Sequence, residues 1–173
     1  ITIIDSDLVE LSNLQRQIIH NTSEIGNPKV SSAKKFIHKI NPEIKITEIK
    51  DRLDKNNIEN LVSNNHIIAD GSDNFATRYL ISDTCYKMNK ILVSAAITKF
   101  EGQISTWKNT PNTLPCFRCL FPSIPNNSNI NNCSSNGVLG SVAGFLGCLQ
   151  ATEVIKEVLG IGESLAGFLN IYD

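Results

Sequence analysis

Apolar and polar residues alternate in blocks whose period switches repeatedly between that of a strand and that of a helix. The chain opens on Ile1-Thr2-Ile3-Ile4-Asp5, which reads as a strand already under way, and continues through a polar stretch from Ser6 to Gly26. Asn27-Pro28 then predicts a helix start, with a capping side chain followed by proline in the first turn. Val30, Ala33, Ile37 and Ile40 make its inner face. Asn41-Pro42 stops that helix, because proline disfavours the helical conformation in the residue before it, and Ile44 to Thr47 resumes strand alternation. Asp54 is placed to cap a short helix carrying Ile58, Leu61 and Val62, and His66 to Asp70 reads as a central strand. Gly71 to Asn74 forms a loop ahead of a helix containing Tyr79 and Leu80. Ile91 to Ile97 reads as another buried strand with Gly102 to Lys108 as its partner, and Phe168 to Tyr172 as the last strand. Between them, a helix from about Gly137 to Leu159 is small and apolar on most faces, and so is expected to be buried, against a second subunit where the chain itself does not cover it.

Strands alternating with helices predict an α/β domain with a mostly parallel sheet. Composition agrees: 173 residues with 41% hydrophobic and 19% charged side chains suffice for a single globular domain over 1–173. Sixteen basic against seventeen acidic residues give a net charge of −1, with no Lys/Arg stripe to neutralise a phosphate backbone, so nucleic acid is a poor partner. The apolar run from Val138 to Leu149 is interrupted by glycines and falls short of the roughly 20 residues a membrane span needs, which argues against a membrane protein. The first residue is Ile and no basic, apolar leader precedes the first strand, so the start reads as a break in a longer chain. Five cysteines, with Cys85 and Cys148 in helical apolar patterns suited to buried thiols, fit a reducing cytosol. Three of the five fall in a loop at about 109–136, rich in proline and asparagine, which either moves or is tied by something other than a core.

Several residues carry candidate chemistry. Asp5 follows a hydrophobic strand, where nucleotide-binding α/β folds place an acid to accept hydrogen bonds from ribose hydroxyls; on position alone an acid at a strand end is more often a solvated turn or a helix cap. Ser12-Asn13-Leu14-Gln15-Arg16-Gln17 sets an amide and a guanidinium three residues apart, and the planar fork of arginine suits phosphate. Lys29 adds a positive charge at a helix start whose backbone N–H groups already favour anions. Asp70 and Asp73 flank a tight loop at a strand end, where a carboxylate can hold Mg on a triphosphate, and Asp73 is the better placed. Arg78, one turn on, can pair with either acid. Cys116-x-x-Cys119 has the spacing of half a structural zinc site, whose second ligand pair is not evident. A thioredoxin-like role is the poorer reading, because the pair is not expected to open a helix after a strand. None of His20, His38 and His66 is well placed as a base.

Taken together, Asp5, Ser12-Asn13-Leu14-Gln15-Arg16-Gln17, Pro28-Lys29, Asp73-Asn74 and Cys116-Phe117-Arg118-Cys119 resemble the MoeB/ThiF/HesA family, related to the ubiquitin-activating enzymes. The resemblance covers essentially the whole chain and extends to Gly137-Val138-Leu139-Gly140 and Leu149-Gln150-Ala151. It implies a Rossmann-like, mostly parallel sheet flanked by helices, here missing its first strand and Gly-rich loop. It also implies an ATP- and Mg-dependent adenylyltransferase, which activates the C-terminal glycine of a ubiquitin-like sulfur-carrier protein ending in Gly-Gly. The carrier would be MoaD-like or ThiS-like, serving molybdopterin or thiamine biosynthesis in the cytoplasm. By position, Asp5 would bind ribose, Asn13, Arg16 and Lys29 would hold the phosphates within the segment Ser12, Asn13, Leu14, Gln15 and Arg16, Asp73 would position Mg, and Asn74 would support the nucleotide. Cys116 and Cys119 would bind Zn with a pair beyond Asp173, Cys133 would join the carrier during sulfur transfer, and the enzyme would be a homodimer. A non-catalytic remnant that docks a ubiquitin-like partner is the alternative; an NAD-dependent oxidoreductase would use Asp5 but leave Ser12 to Arg16 and the cysteines without a purpose.

Overall fold

The computed structural model describes residues 1–108, 114–123 and 137–173, which form two compact units, Ile1–Leu53 and Asp54–Asp173. In the first unit, β1 (Thr2–Ile4) runs parallel to β2 (Thr47–Ile49), Thr2 opposite Thr47 and Ile4 opposite Ile49, and α1 (Lys29–Ile40) lies in the crossover. Parallel strands need such a connection because the second must start from the same end as the first. α1 ends as the sequence predicts: Asn41, ahead of Pro42, is extended at φ −145° and its N–H bonds Ile37 O. Its start differs. Pro28 occupies the cap position with no side-chain cap, while the Asn27 amide donates to Glu24 Oε2 at 3.1 Å. Val30 and Ala33 are buried as expected, Ser32 joins them, and Ile40 is 72% exposed. β2 falls later than the alternation of Ile44 to Thr47 suggests, with Ile46 buried just ahead of it.

The second unit is a four-stranded sheet in the order β3 (Ile67–Asp70), β4 (Ile91–Thr98), β5 (Glu101–Trp107) and β6 (Asn170–Tyr172). β3 and β4 are parallel, joined through α3 (Phe75–Lys87); β5 turns back against β4 as a hairpin, and β6 pairs antiparallel with β5. The expected α/β alternation is therefore what forms, parallel across the α1 and α3 crossovers and antiparallel both at the β4–β5 hairpin and where β6 returns to β5 after the long connection that carries the late helix. α2 (Ile58–Ser63) precedes β3, and Asp54 Oδ1 accepts the N–H groups of Asn56 and Asn57 at 2.8 and 3.2 Å in the turn that opens it. β3, expected to be central, stands at one end of this order.

α5 (Gly140–Leu159) packs on the hairpin, where Ala95, Ile104 and Leu146 form a core with Ile97, Val142, Leu149, Leu165 and Tyr172. Gly102 permits the approach, since a Cβ there would stand 2.0 Å from Leu146 Cδ1. The helix ends at Gly160 in the left-handed conformation, φ 64°, that glycine adopts without strain. Within one chain this helix is covered on one side only. It buries Leu146 and Glu153, while Phe145, Ile155, Val158, Leu159 and Cys148 are exposed. An apolar pattern on most faces does not reveal which face the chain itself covers. Cys85, in α3, is buried as expected. No described helix is long and apolar enough to cross a membrane.

Candidate functional site

The expected site residues fall into both units, and each group has its own local architecture. In the first unit, β1 delivers Asp5 at its C-terminal end. Asp5 Oδ1 accepts the N–H of Asp7 at 2.8 Å, a local turn that short acidic side chains favour. The Asp5 N–H extends the ladder to Ile49 O at 3.2 Å. One carboxylate oxygen is thus used to orient the group, and among the described residues the other has no hydrogen-bond partner.

From Asp7 the chain makes an excursion that closes on itself at Lys29. At the neck, Lys29 N–H donates to Asp7 O at 3.0 Å, Leu8 bridges Pro28, and Val9 exchanges hydrogen bonds of 2.9 Å with Asn27 and Gly26. Lys29 stands at the first position of α1, as anticipated, but its Nζ contacts Asp7 Oδ2 at 2.8 Å. Sequence reasoning missed Asp7; the only signal was its place two residues after Asp5. Within the excursion, Asn13 Oδ1 accepts the N–H of Glu10 at 3.1 Å, Asn13 N–H bonds Glu10 O at 3.0 Å, and Ser12 Oγ donates to Glu10 Oε2 at 3.1 Å. Asn13 is buried, so its side chain builds this turn rather than facing solvent. Leu14 and Arg16 are half-buried and Gln15 is exposed. Arg16 Nη1 donates to Ser12 O at 3.1 Å, which employs one of the five guanidinium donors.

His20 ties the excursion to α1. Its Nδ1 lies 2.9 Å from Ser32 Oγ, and both residues are buried. Burial pushes the imidazole below its ordinary value, the charge of Lys29 adds to the effect, and Asp5 and Glu24 pull the other way. The buried His20–Ser32 contact is a packing element to which sequence reasoning assigned no role. The unit thus contains two cations, a helix N-terminus and an oriented carboxylate, residue types suited to anions and vicinal hydroxyls.

In the second unit, the loop after β3 is held from beneath. Asp70 is buried; its Oδ1 accepts the N–H of Ser72 at 2.8 Å, and burial raises its carboxyl pKa, partly offset by the Ser72 N–H and the Arg78 charge. Arg78 pairs with neither acid. Its Nε and Nη2 clamp Ser72 O at 3.1 and 2.7 Å. Asn74 Oδ1 accepts the N–H of Thr77 at 2.9 Å and caps α3. Asp73, between these fixed residues, is exposed and makes no hydrogen bond or ion pair with a described residue. From the other side, Gln150 Nε2 on α5 donates to Asp70 O and Val93 O, both at 2.9 Å, so the late helix is stitched to the end of β3 and to β4 beside it.

Cys116 caps a single helical turn, α4 (Phe117–Leu120), that contains Cys119, with Cys119 N–H on Cys116 O at 2.9 Å and the two Sγ atoms 3.5 Å apart. The pair does open a helical turn, contrary to expectation, though one of only 4 residues. Tetrahedral zinc with Zn–S of about 2.3 Å sets thiolates about 3.8 Å apart, so the two thiols fit half of such a site. Among the described residues no group of three or more His, Cys, Asp or Glu side chains gathers to hold a metal. Cys133, with much of the loop at 109–136, lies outside the described residues.

Comparison with known proteins adds to this geometry. The family model described as the ThiF family matches residues 1–173. The chain is 43% identical over 173 residues to the SAMP-activating enzyme E1 of Haloferax volcanii, covering 100% of this chain and 63% of that protein. It is 45% identical over 171 residues to the adenylyltransferase and sulfurtransferase MOCS3 of Arabidopsis thaliana, covering 99% of this chain but 36% of that protein. The chain thus spans between about a third and just under two thirds of these relatives. Among solved structures, E. coli MccB with ATP superposes with a TM-score of 0.79 at 22% identity over 95% of this chain and 50% of that one, a likeness of fold.

Proposed function

This chain belongs to the ThiF family, and from that premise we propose that it is the adenylylating part of a cytosolic, ATP-dependent enzyme acting on the C-terminal glycine of a ubiquitin-like sulfur-carrier protein. The observation that carries this reading is identity of 43% and 45%, across essentially the whole chain, to proteins named as an activating enzyme and an adenylyltransferase. The carrier is MoaD-like or ThiS-like and ends in Gly-Gly.

The chemistry asks little acid–base help of the protein. The carrier's terminal carboxylate attacks the α-phosphorus of ATP, pyrophosphate leaves, and an acyl-adenylate remains. What the step needs is alignment and neutralisation of phosphate charge. Arg16 offers the donors left free by its bond to Ser12, Lys29 turns its ammonium from Asp7 toward phosphate, and Asp5 receives ribose hydroxyls on its unused oxygen. Asn13 shapes the turn that presents Arg16, and Asn74 fixes the start of α3 beside Asp73.

Mg fits an exposed carboxylate at a strand end, and Asp73 is the residue here that would hold it; the ion supplies charge neutralisation on the phosphates. Zn fits the Cys116 and Cys119 thiols as one half of a site completed by a second pair. Cys133 is the residue we assign to covalent attachment of the carrier in a later sulfur-transfer step. The exposed apolar residues of α5 support a homodimer.

Carrier-dependent exchange of labelled pyrophosphate into ATP tests this, with MoaD-like and ThiS-like carriers assayed separately on the full-length protein. Exchange with one carrier names the pathway. Folded protein that binds a carrier yet exchanges with neither would replace the enzyme by a docking domain. Arg16→Ala or Asp73→Ala is expected to cost at least one to two orders of magnitude, about 1.4–3 kcal/mol; near-normal rates in both would dissolve the assigned site. Cys133→Ala leaves exchange intact and impairs only the sulfur step.

A further inference from the structure

One face of α3 grips the described residues around Cys116 and Cys119. Tyr79 and Asp83, four residues apart, project from the same side of that helix. Asp83 takes Arg118, the residue beside Cys119 within the pair, in a two-pronged ion pair with Nε on Oδ1 at 2.6 Å and Nη2 on Oδ2 at 2.7 Å. That grip fixes the plane of the guanidinium as well as its position. The same guanidinium lies over the Tyr79 ring, 4.7 Å from its centre.

Tyr79 reaches the other side of the pair. Its hydroxyl lies 2.7 Å from Phe121 O and 2.9 Å from Ser123 O, so it donates to the carbonyls that follow Cys119. Its ring meets Phe117 edge-on at 5.2 Å, and Phe117 in turn meets Trp107 at 5.7 Å. Residues 117, 118, 121 and 123 are thus fixed on either side of Cys119, and the thiols are already near the spacing zinc requires.

We infer that Tyr79 and Asp83 are positioning residues for the Cys116–Cys119 metal half-site, acting through Arg118 and the carbonyls of Phe121 and Ser123. The inference rests on the zinc reading above. Its physical basis is preorganisation: ligands held at the right separation lose less freedom when metal binds. Arg118 also brings a positive charge next to Cys116, where thiolates gather negative charge on metal binding.

A purely structural role predicts something different. The Arg118 and Asp83 side chains are 47% and 46% exposed, and a surface ion pair adds at most about 1 kcal/mol to stability. Loss of metal affinity without a matching loss of stability therefore separates the two roles. The experiment uses full-length protein, wild type against Asp83→Asn, Asp83→Glu and Tyr79→Phe. Zinc affinity is measured by competition with a chromophoric chelator, the cobalt form by its thiolate charge-transfer band, and the metal-free form by its thermal midpoint. The expected result is zinc binding weakened about 10- to 100-fold in Asp83→Asn and Tyr79→Phe, a shifted cobalt band, partial recovery in Asp83→Glu, and little change in the metal-free midpoint. Wild-type protein that binds zinc no better than the variants overturns this inference alone; wild-type protein that takes up neither metal overturns the zinc reading and this inference with it.

Discussion

The excursion from Asp7 to Lys29 and the cysteine turn gripped by α3 each present residues of binding chemistry, but they are built in opposite ways. The excursion is closed by hydrogen bonds and charge: Lys29 on Asp7, Asn13 on Glu10, His20 on Ser32. Its large apolar side chains Leu11 and Ile18 are 69% and 83% exposed. The cysteine turn instead hangs on an aromatic cluster, with Phe117, Tyr79 and Trp107 all buried, and adds its ion pair at the rim. A segment fixed by polar contacts is adjustable by charge and pH, because each contact is worth little net free energy in water. A segment fixed by buried rings responds to volume, since close-packed interiors relax only partly around a missing group.

The sharpest break of this comparison is Phe117→Ala. Removing a buried ring that meets Tyr79, Trp107 and Phe121 is expected to cost about 3–5 kcal/mol, read from the denaturant midpoint at constant slope. A loss below about 1 kcal/mol would show that the ion pair, not the ring, holds the turn. Next in size is Gly102→Ala, where the new methyl would meet Leu146 at 2.0 Å in the core under α5. Overpacking there is expected to cost about 1–3 kcal/mol. Leu146→Ala added to it should cost less than on the wild-type background, because the two changes share one space. Smaller again is Asp7→Asn in the excursion, at most about 1 kcal/mol, since Asp7 is 65% exposed, and fading as salt is raised.

The same contrast explains what could be read beforehand. Strands and helices followed from apolar period and from Pro42 and Asp54, because those signals act within a few residues of where they stand. Asp5, Lys29 and Asp73 fell at element ends, as such signals place them. What escaped were contacts between residues distant in sequence: Asp7 with Lys29, His20 with Ser32, Asp83 with Arg118 and Gln150 with the carbonyls of Asp70 and Val93. Each member alone is an ordinary polar residue, and only the fold makes the pair. α5 erred in the other direction: Leu146 and Phe145 look equally apolar, yet one is 1% and the other 48% exposed. Which of them meets the sheet depends on Gly102, far away in the chain.

The smallest expected effect is the part of the pH slope that His20 carries, set apart by mutation from the opposite slope of the raised Asp70 carboxyl. His20 is held below its ordinary value of 6.5, first by burial and then by Lys29, with Asp5 and Glu24 opposing. The unfolded chain therefore takes up a proton near the ordinary value while the folded chain resists it, so stability rises with pH wherever the unfolded state binds more protons. This contribution is fully present above 6.5 and is lost as pH falls below that value through the folded pKa. The carboxylates of Glu24 and Glu48, lowered from 4.5 by Lys35 and by Ser31 respectively, weaken only in a more acid window, below 4.5. Urea midpoints compared at pH 7.5 and 5.5 should therefore fall in the wild type and fall less in His20→Asn. Equal slopes would mean that the imidazole is as readily protonated in the folded chain as in the unfolded one, and that the excursion is held by its neck alone.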